Sequence, residues 1–390
     1  MREPRGEIII KISSVCIINC FDTYEHRVDL LYDYFKEKGM KVQVFTSNYR
    51  HFEKCRRTDK KEDYRFVDAI PYKKNLSYSR VKSHVILSKN IYEQISKEKV
   101  DLLWILVPPN SFVKDAAKYK KNHPKVKIIF DLIDMWPETM PISKFKNLPP
   151  FIYWKSLRDK HLNVADSIVT ECDLYKQKLP TTVDFSTVYT LYLARKIKES
   201  KIELNTPNDR INFCYLGSIN NIIDIDEIAR IISEVTNVKA TTIHIVGDGE
   251  KREQLIETCK LAGAQVIFHG KIYDASEKQK IFNQCHYGLN IMKQSVVVGL
   301  TMKSIDYFEG GLPIINNIHG DTWEIVLREK IGYNIDKEKN CKDIIKYEAK
   351  MRERVREVYE REFGIDTFRK KVQCLSLIHI SEPTRRSYIS

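Results

Sequence analysis

The sequence predicts an α/β protein built of two doubly wound domains, each around its own parallel sheet. Short apolar runs alternate with amphipathic helical runs along most of the chain, a pattern typical of parallel α/β architecture. The 390 residues are enough for two domains with a core in each. A polar stretch interrupts the alternation at residues 196–210. We therefore expect a first domain at 1–195, a linker at 196–210, a second domain at 211–350 and terminal helices at 351–374.

The first half contains five predicted strand regions. Runs of Val, Ile, Leu and Phe bounded by polar residues are typical of buried strands. After the first region, Val28, Leu31 and Phe35 recur at helical spacing, and Gly39 ends the predicted helix. The predicted strands are residues 8–12 with 15–18, then 42–45, 102–107, 127–132 and 167–170.

The second half repeats the pattern and ends in helices. Its predicted strands are residues 212–216, 242–246, 265–268, 287–291 and 313–316. A helical run follows at 342–363, and Gly364 breaks it. In a final helix capped by Asp366, Phe368 and Val372 share an apolar face. We expect this face to pack back on the first domain across the interdomain cleft.

We interpret the last residues of the chain, 375–390, as a segment that does not belong to the natural protein. Residues 375–386, LSLIHISEPTRR, resemble the in-frame translation of a sequencing adapter. We therefore treat 375–390 as a non-native tail and expect it to be exposed past Cys374. A natural tail rich in Ser and Arg is the alternative.

Composition excludes several classes of protein. With 43% hydrophobic and 30% charged residues, the chain has a globular composition and not a disordered one. No apolar segment approaches the roughly 18 residues that a membrane span needs, and the N-terminus does not resemble a secretory signal. The nine cysteines form no CxxC pair and no Cys/His ligand spacing. We therefore expect reduced thiols in a cytoplasm and no metal site.

Positive charge is concentrated in one region. The formal net charge is +13, and residues 50–89 hold twelve Lys or Arg against five Asp or Glu. Such a surplus attracts a polyanion or an anionic membrane surface. A solvated loop face is the alternative.

Ligand-binding residues should follow the strands, because open parallel sheets bind ligands at the carboxyl ends of their strands. In the second half these positions are 217–221, 247–250, 269–273 and 294–303. None of these turns fits GxGxxG or the P-loop pattern, so dinucleotide binding and ATP hydrolysis lose support.

The stretch GLTMKSIDYFEGGLPIINN places Lys303 at the start of a short predicted helix. Gly299 allows close backbone approach, and the first amides of a helix bind anions. Lys303 opposes the helix dipole there, and a phosphate would explain its position. Asp306 lies three residues further on the same face, where it could accept hydrogen bonds from a ribose. A solvent-facing lysine is the alternative.

The order of these segments resembles the donor half of family-4 glycosyltransferases with the GT-B fold. The runs YLGSINN, VGDGEKREQL, VIFHGKI, GLTMKSIDYFEGGLPII and GDTWEIV carry the resemblance over most of 210–335. The first half matches through EKGMKVQVFTS, DLIDMWPE and ADSIVTECDLY. The resemblance implies two Rossmann-like domains facing across a cleft and a retaining sugar transfer in capsule, exopolysaccharide or O-antigen assembly. It implies a nucleotide-sugar donor, most often a UDP-sugar, bound by the second half, and no metal or other cofactor.

The resemblance also implies roles for single residues in the second half. Lys303 and Asp306 are candidate catalytic residues, and the donor pocket would lie between the two halves. The family's phosphate-clamping Arg and Lys fall on Ser218 and an Ile, and the first of its paired glutamates falls on Val298. The predicted donor-binding residues are Gly217, Ser218, Asn220, Gly247, Gly270, Lys271, Ile272, Tyr273, Gly299, Leu300, Thr301 and Met302.

The first half would bind the acceptor. Tyr24, His26 and Trp136 are the predicted acceptor-binding residues, and Glu138 is a third candidate catalytic residue; for Trp136 a core position is the alternative. His84 is a weaker candidate. We expect a lipid-linked saccharide acceptor at the anionic inner face of the cell membrane and no nucleic-acid partner. A non-catalytic subunit that stabilises a partner transferase is the main alternative. A UDP-sugar epimerase is less favoured because the expected acids and histidines are not found.

Overall fold

The computed structural model describes residues 12–51, 53–140, 147–195, 202–203, 206–336 and 341–377. Within them the chain forms two compact units. Unit 1 contains the described residues up to Glu171, Tyr175–Leu193 and those from Phe368 onward, whereas unit 2 contains Cys172–Leu174 and Ala194–Thr367. The assignment of Cys172–Leu174 to unit 2 was not predicted.

Unit 1 is built on a parallel sheet. Its strands are β1 (Ser14–Ile18), β2 (Lys41–Ser47), β3 (Tyr49–Arg50), β4 (Cys55–Arg56), β5 (Tyr64–Val67), β6 (Leu102–Val107), β7 (Lys127–Leu132), β8 (Ser167–Thr170) and β9 (Val188–Thr190). Seven of them pair in parallel in the order β5-β2-β1-β6-β7-β8-β9, and β3 and β4 form a short antiparallel pair. Every residue of β6 is buried, as expected for a strand covered on both faces.

Unit 2 has a six-stranded parallel sheet. Its strands are β10 (Arg210–Leu216), β11 (Ala240–Val246), β12 (Gln265–Gly270), β13 (Tyr287–Asn290), β14 (Ile314–Asn316) and β15 (Gly332–Asn334). They are ordered β12-β11-β10-β13-β14-β15, which is the doubly wound order of a dinucleotide-binding domain.

Helices connect the strands in both units. They are α1 (Glu25–Glu37), α2 (Tyr78–Ile95), α3 (Asn110–Asn122), α4 (Pro149–Asp159), α5 (Asp173–Lys176), α6 (Ile225–Thr236), α7 (Arg252–Leu261), α8 (Ala275–Gln284), α9 (Met302–Glu309), α10 (Asp321–Glu329), α11 (Met351–Phe363) and α12 (Ile365–Leu377). In α6, Ile228, Ile231, Ile232 and Val235 recur at helical spacing and pack in the core of unit 2.

The strand predictions are confirmed at nine of their ten regions, with bounds that agree to within two residues. In the first region, 15–18 lies in β1, whereas 8–11 lies outside the described residues. The sequence analysis missed β5, β9 and β15, which have only three or four residues each. The single helix predicted at 342–363 is wrong, because a 3-10 helix at Cys341–Ile345 and α11 replace it.

The C-terminal helix corrects the predicted start of the tail. Phe368 and Val372 are buried as expected. However, α12 continues to Leu377, and Leu375 is only 2% exposed, so exposure does not begin after Cys374. Residues 378–390 lie outside the described part of the chain.

Candidate functional site

The strand order of unit 2 indicates where a ligand would bind. The order reverses between β10 and β13, and in doubly wound sheets the crevice at this point takes the ligand. The turn that begins at Gly217 follows β10, and the segment leading to α9 follows β13. The predicted donor residues around Lys303 therefore belong to this edge of the sheet.

Tyr307 fixes α9 on the end of β10. Its hydroxyl group accepts a hydrogen bond from the Leu216 amide at 2.8 Å and donates to the Cys214 carbonyl at 3.0 Å. The ring packs on Gly288 of β13, where an added Cβ would lie 2.7 Å from ring atoms. Tyr307 thus holds the helix against both strands at the reversal point.

Lys303 lies one turn before Tyr307 on the same helix face. Its ammonium nitrogen is 4.7 Å from the centre of the Tyr215 ring, and the Tyr215 hydroxyl donates to the Ser218 carbonyl at 2.8 Å. No carboxylate among the described residues pairs with this lysine. Burial lowers the pKa of Lys303 to about 8. The structure thus brings a half-buried cation with no anionic partner to the turn after β10.

The start of α9 is held by a buried polar network. Thr301 caps the helix by accepting a hydrogen bond from the Ser304 amide at 3.1 Å, and its hydroxyl group donates to Asn290 at 2.9 Å. Asn290 donates to Asn316 at 2.8 Å, and Asn316 donates to Asn334 at the same distance. This asparagine ladder links the ends of three neighbouring strands and orients the helix N-terminus.

Close packing around Gly299 explains why this position holds a glycine, and the sequence analysis did not predict that packing. A Cβ at this position would lie 2.5 Å from the Asp321 carboxylate and 2.8 Å from Leu174 Cβ. The glycine therefore makes room for Asp321 and Leu174. The predicted approach of a phosphate to Gly299 stays a prediction.

Asp306 already has basic partners in unit 2, and its predicted hydrogen bonds to a ribose stay a prediction. Its Oδ1 accepts hydrogen bonds from Arg195 at 2.5 Å and from Lys278 at 3.2 Å. The carboxylate thus binds α8 and the segment before the linker. It forms no ion pair with Lys303 in the described part of the chain.

Three glycine turns follow the strands β10, β11 and β12. Gly217, Gly247 and Gly270 have positive φ values of 117°, 143° and 70°. A Cβ on Gly247 would lie 1.9 Å from the Gly217 carbonyl oxygen, so the first two turns are in contact. Around them, the predicted residues Ser218, Lys271, Tyr273 and Met302 are exposed, whereas Asn220, Ile272 and Leu300 are half-buried.

Unit 1 carries an aromatic cluster at its own reversal point, between β1 and β6. The Phe21 ring lies 5.1–5.6 Å from the rings of four neighbours. These are Tyr24, His51, His84 and Trp136. The structure therefore brings Tyr24 and Trp136 together as predicted acceptor residues, whereas His26 is exposed in the first turn of α1.

The guanidinium group of Arg80 covers the Trp136 ring. The sequence analysis did not include Arg80 among the candidate site residues. Its guanidinium carbon is 4.2 Å from the Trp136 ring centre, and one nitrogen donates to the Asn75 carbonyl at 2.7 Å. The Nε and Nη2 atoms have no hydrogen-bond partner among the described residues, nor does either ring nitrogen of buried His84. Burial and the Arg80 charge lower the pKa of His84 well below its usual range. Trp136 is thus a covered core ring and not an open platform.

Two carboxylates follow the neighbouring strands. Burial raises the pKa of Asp134, whose oxygens accept hydrogen bonds from the Trp136 indole at 2.6 Å and from Thr139. Burial also raises the pKa of Glu171, to about 7, although Arg27 opposes the shift. Neither was among the predicted site residues; their only sequence signal is their position after β7 and β8.

Glu138 joins the loop after β7 to α4. It accepts hydrogen bonds or ion pairs from Arg158 at 2.8 Å and from Lys155 at 2.7 Å, and these cations lower its pKa despite burial. Arg158 is fully buried. Glu138 therefore connects the loop after β7 to α4, and its catalytic role stays a prediction.

The described ranges contain neither a candidate metal cluster nor a candidate membrane-spanning helix. No cluster of three or more His, Cys, Asp or Glu side chains there could hold a metal ion. No helix there combines the length and apolarity needed to cross a bilayer.

Comparisons with known proteins agree with this geometry. Residues 210–347 match the sequence profile of the glycosyl transferases group 1 family. Searched as a sequence, the chain matches no curated protein at a significant level.

Several solved structures share the fold. The lipopolysaccharide outer core galactosyltransferase WaaB is 14% identical with a TM-score of 0.66, over 94% of this chain and 99% of that one. HepE of Anabaena, solved with UDP and glucose, is 11% identical with a TM-score of 0.62, over 94% and 100%. Sucrose-phosphate synthase of Thermosynechococcus elongatus is 12% identical with a TM-score of 0.66, over 95% and 100%. The chain therefore has the GT-B fold, and its residues 210–347 are similar to the group 1 glycosyl transferases.

Proposed function

We propose that the protein is a glycosyltransferase that moves a sugar from a nucleotide-sugar, of which a UDP-sugar is the first candidate. One observation carries the proposal: Lys303 lies at the start of α9, beside the β10 turn, and none of the residues that the structure describes pairs a carboxylate with it. A half-buried ammonium group with a pKa lowered to about 8 would gain a partner from a diphosphate. The match of residues 210–347 to group 1 glycosyl transferases supports this assignment, and HepE in complex with UDP supports uridine as the base.

The proposed chemistry depends on stabilising the leaving group. As the sugar–phosphate bond breaks, negative charge grows on the departing diphosphate. Lys303 and the amide groups at the N-terminus of α9 would stabilise that charge, and Tyr307 and Thr301 would keep both in position. This arrangement suits a retaining transfer in which the acceptor hydroxyl needs positioning more than proton abstraction. The positive charge of Lys303 takes the place that a metal ion has in other transferases.

The acceptor would bind unit 1 near Tyr24 and Glu171. A lipid-linked saccharide at the inner face of the cell membrane is our proposal, as part of cell-surface polysaccharide assembly. The basic region at 50–89 supports it, because positive charge attracts anionic lipid surfaces. A cytoplasmic location follows from the same proposal.

A thermal-shift panel of nucleotides and nucleotide-sugars tests the donor site. UDP and at least one UDP-sugar should raise the melting temperature of the protein, and Lys303→Met should remove most of that rise. Lys280→Met, which changes an exposed lysine of α8, is the matched control. No shift with any nucleotide, or equal shifts in Lys303→Met, would contradict the proposal.

A non-catalytic subunit is the second candidate, and Asp306 favours it. Its carboxylate already forms ion pairs with Arg195 and Lys278. Such a subunit would bind UDP but would not cleave any UDP-sugar to UDP. A turnover assay that measures released UDP distinguishes it from an active transferase.

A further inference from the structure

The groups around the Lys303 amine do not hold it in its charged form. The Tyr215 ring of β10 lies 4.7 Å from the Lys303 nitrogen, and burial raises the Tyr215 pKa, so its hydroxyl group stays neutral. Asp306, one turn further along α9, pairs with Arg195 and Lys278 instead. No carboxylate in the described ranges forms an ion pair with Lys303.

The amine can be reached from solvent, and it lies beside two free backbone amides. Lys303 is half-buried, and its unpaired nitrogen is not among the side-chain atoms closed off from solvent. The amides of Met302 and Lys303 begin α9 and donate to no acceptor in the described part of the chain. Free amides at the start of a helix attract an anion. An electrophile that carries a phosphate would therefore be drawn to the place where the amine lies.

Burial also makes the Lys303 amine a better nucleophile at neutral pH. It lowers the pKa of Lys303 to about 8, whereas a lysine in water has a pKa of about 10.4. At pH 7 about one-tenth of the Lys303 amine is therefore neutral, compared with fewer than about one in a thousand for a lysine in water. The neutral form is the one that attacks electrophiles.

Acyl phosphates combine the two properties that this arrangement selects. They carry a phosphate group that the free amides can bind, and a carbonyl carbon that a neutral amine attacks. Acyl esters without a phosphate have only the second property. The arrangement therefore favours acyl phosphates over other acylating compounds.

We propose that Lys303 is a modification site at which acyl phosphates acylate the amine and thereby inactivate the donor site. The nitrogen attacks the carbonyl carbon and forms an amide bond, the bond from that carbon to the bridging oxygen breaks, and inorganic phosphate leaves with the electron pair. The proton that the nitrogen loses passes to the departing phosphate. Acylation removes the positive charge of Lys303 and so the cation that a diphosphate would need. The loss of donor binding rests on the proposed function, whereas the acylation itself does not.

Labelling with acetyl phosphate tests the proposal. The full chain is incubated at pH 7 with isotopically labelled acetyl phosphate, and the acylation of each lysine is followed by peptide mass spectrometry. Lys303 should react at least about tenfold faster than Lys280, the exposed lysine of α8. The preference for Lys303 should be smaller with p-nitrophenyl acetate, which carries no phosphate. Inorganic pyrophosphate should protect Lys303 and leave the labelling of Lys280 unchanged.

The outcomes separate the modification from the donor assignment. Acylation of Lys303 no faster than that of Lys280 would overturn the proposal. An equal preference with p-nitrophenyl acetate, or no protection by pyrophosphate, would overturn it too, because the phosphate would then not direct the reaction. Acylated protein should lose its thermal shift with UDP. If pyrophosphate protects Lys303 but UDP neither protects it nor raises the melting temperature of the unmodified protein, the modification site stands and the donor assignment fails.

Discussion

UDP affinity should fall as the pH rises through the pKa of Lys303. The ammonium group is half-buried against the Tyr215 ring, and no carboxylate among the described residues pairs with it. Its partial burial holds its pKa at about 8 in the free protein. A diphosphate binds the charged form, so binding above pH 8 requires proton uptake. About nine-tenths of Lys303 is protonated at pH 7 and about one-tenth at pH 9, which predicts an affinity about tenfold lower at pH 9.

Other groups should contribute little to this change. Terminal phosphates lose their second proton near pH 6, below the range examined. Burial lowers the pKa of His244 and His286 to about 4, so neither changes charge between pH 7 and pH 9. Burial keeps the pKa of Tyr215 above its usual value, and its ring therefore stays neutral.

Isothermal titration of UDP at pH 7, 8 and 9, in buffers of different ionisation enthalpy, measures both affinity and proton uptake. Lys303→Met should bind weakly at every pH, and Lys303→Arg should bind without the decline because arginine stays charged. A wild-type affinity that is constant from pH 7 to pH 9, with no proton uptake, would refute the assignment of Lys303 as the phosphate-binding cation.

Three further substitutions test the packing that positions the site. Tyr307→Phe leaves the Leu216 amide without its acceptor and should destabilise unit 2 by about 1–3 kcal/mol in calorimetry, and an unchanged unfolding temperature would contradict the role of that hydroxyl group. Gly247→Ala places a Cβ 1.9 Å from the Gly217 carbonyl oxygen, whereas a Cβ on Gly217 would have no atom within 4 Å. Gly247→Ala should therefore lower the free energy of unfolding more than Gly217→Ala does. A larger loss in Gly217→Ala, measured by urea denaturation, would argue against the described turns. Asp131→Asn removes the counter-charge of buried Arg27, which Asp131 binds through two hydrogen bonds of 2.8 Å. The substitution should destabilise unit 1 by about 3–5 kcal/mol, measured by the urea dependence of tryptophan fluorescence. A loss below about 1 kcal/mol would contradict an ion pair that is shielded from water.

Elements that depend on local pattern could be predicted from the sequence. β6 is a continuous apolar run and β7 is centred on the apolar residues 128–130, and the observed bounds of both strands equal the predicted ones. The helix α9 was predicted because Lys303 near its start and the Gly310-Gly311 pair at its end are local signals. In contrast, β15 has three residues, and only its pairing with β14 makes it a strand.

Side-chain partners distant in the chain could not be predicted. Asp306 is engaged by Arg195, 111 residues away, so its i+3 spacing from Lys303 gave no information about its partner. Arg80 was counted only as surface charge, whereas its position over Trp136 depends on how α2 packs against the loop after β7. The compensated charge of Arg57 and Lys61 likewise depends on carboxylates in α1.

Release of nucleoside diphosphate from a nucleotide-sugar tests the central claim most directly. The full chain is incubated with a panel of UDP- and GDP-sugars and a lipid extract as the acceptor source, and the released UDP or GDP is measured by a coupled assay. The account predicts acceptor-dependent release from at least one UDP-sugar, reduced about 10²-fold in Lys303→Met and unchanged in Lys280→Met. Release of no nucleotide from any donor, or equal release by Lys303→Met, would contradict it.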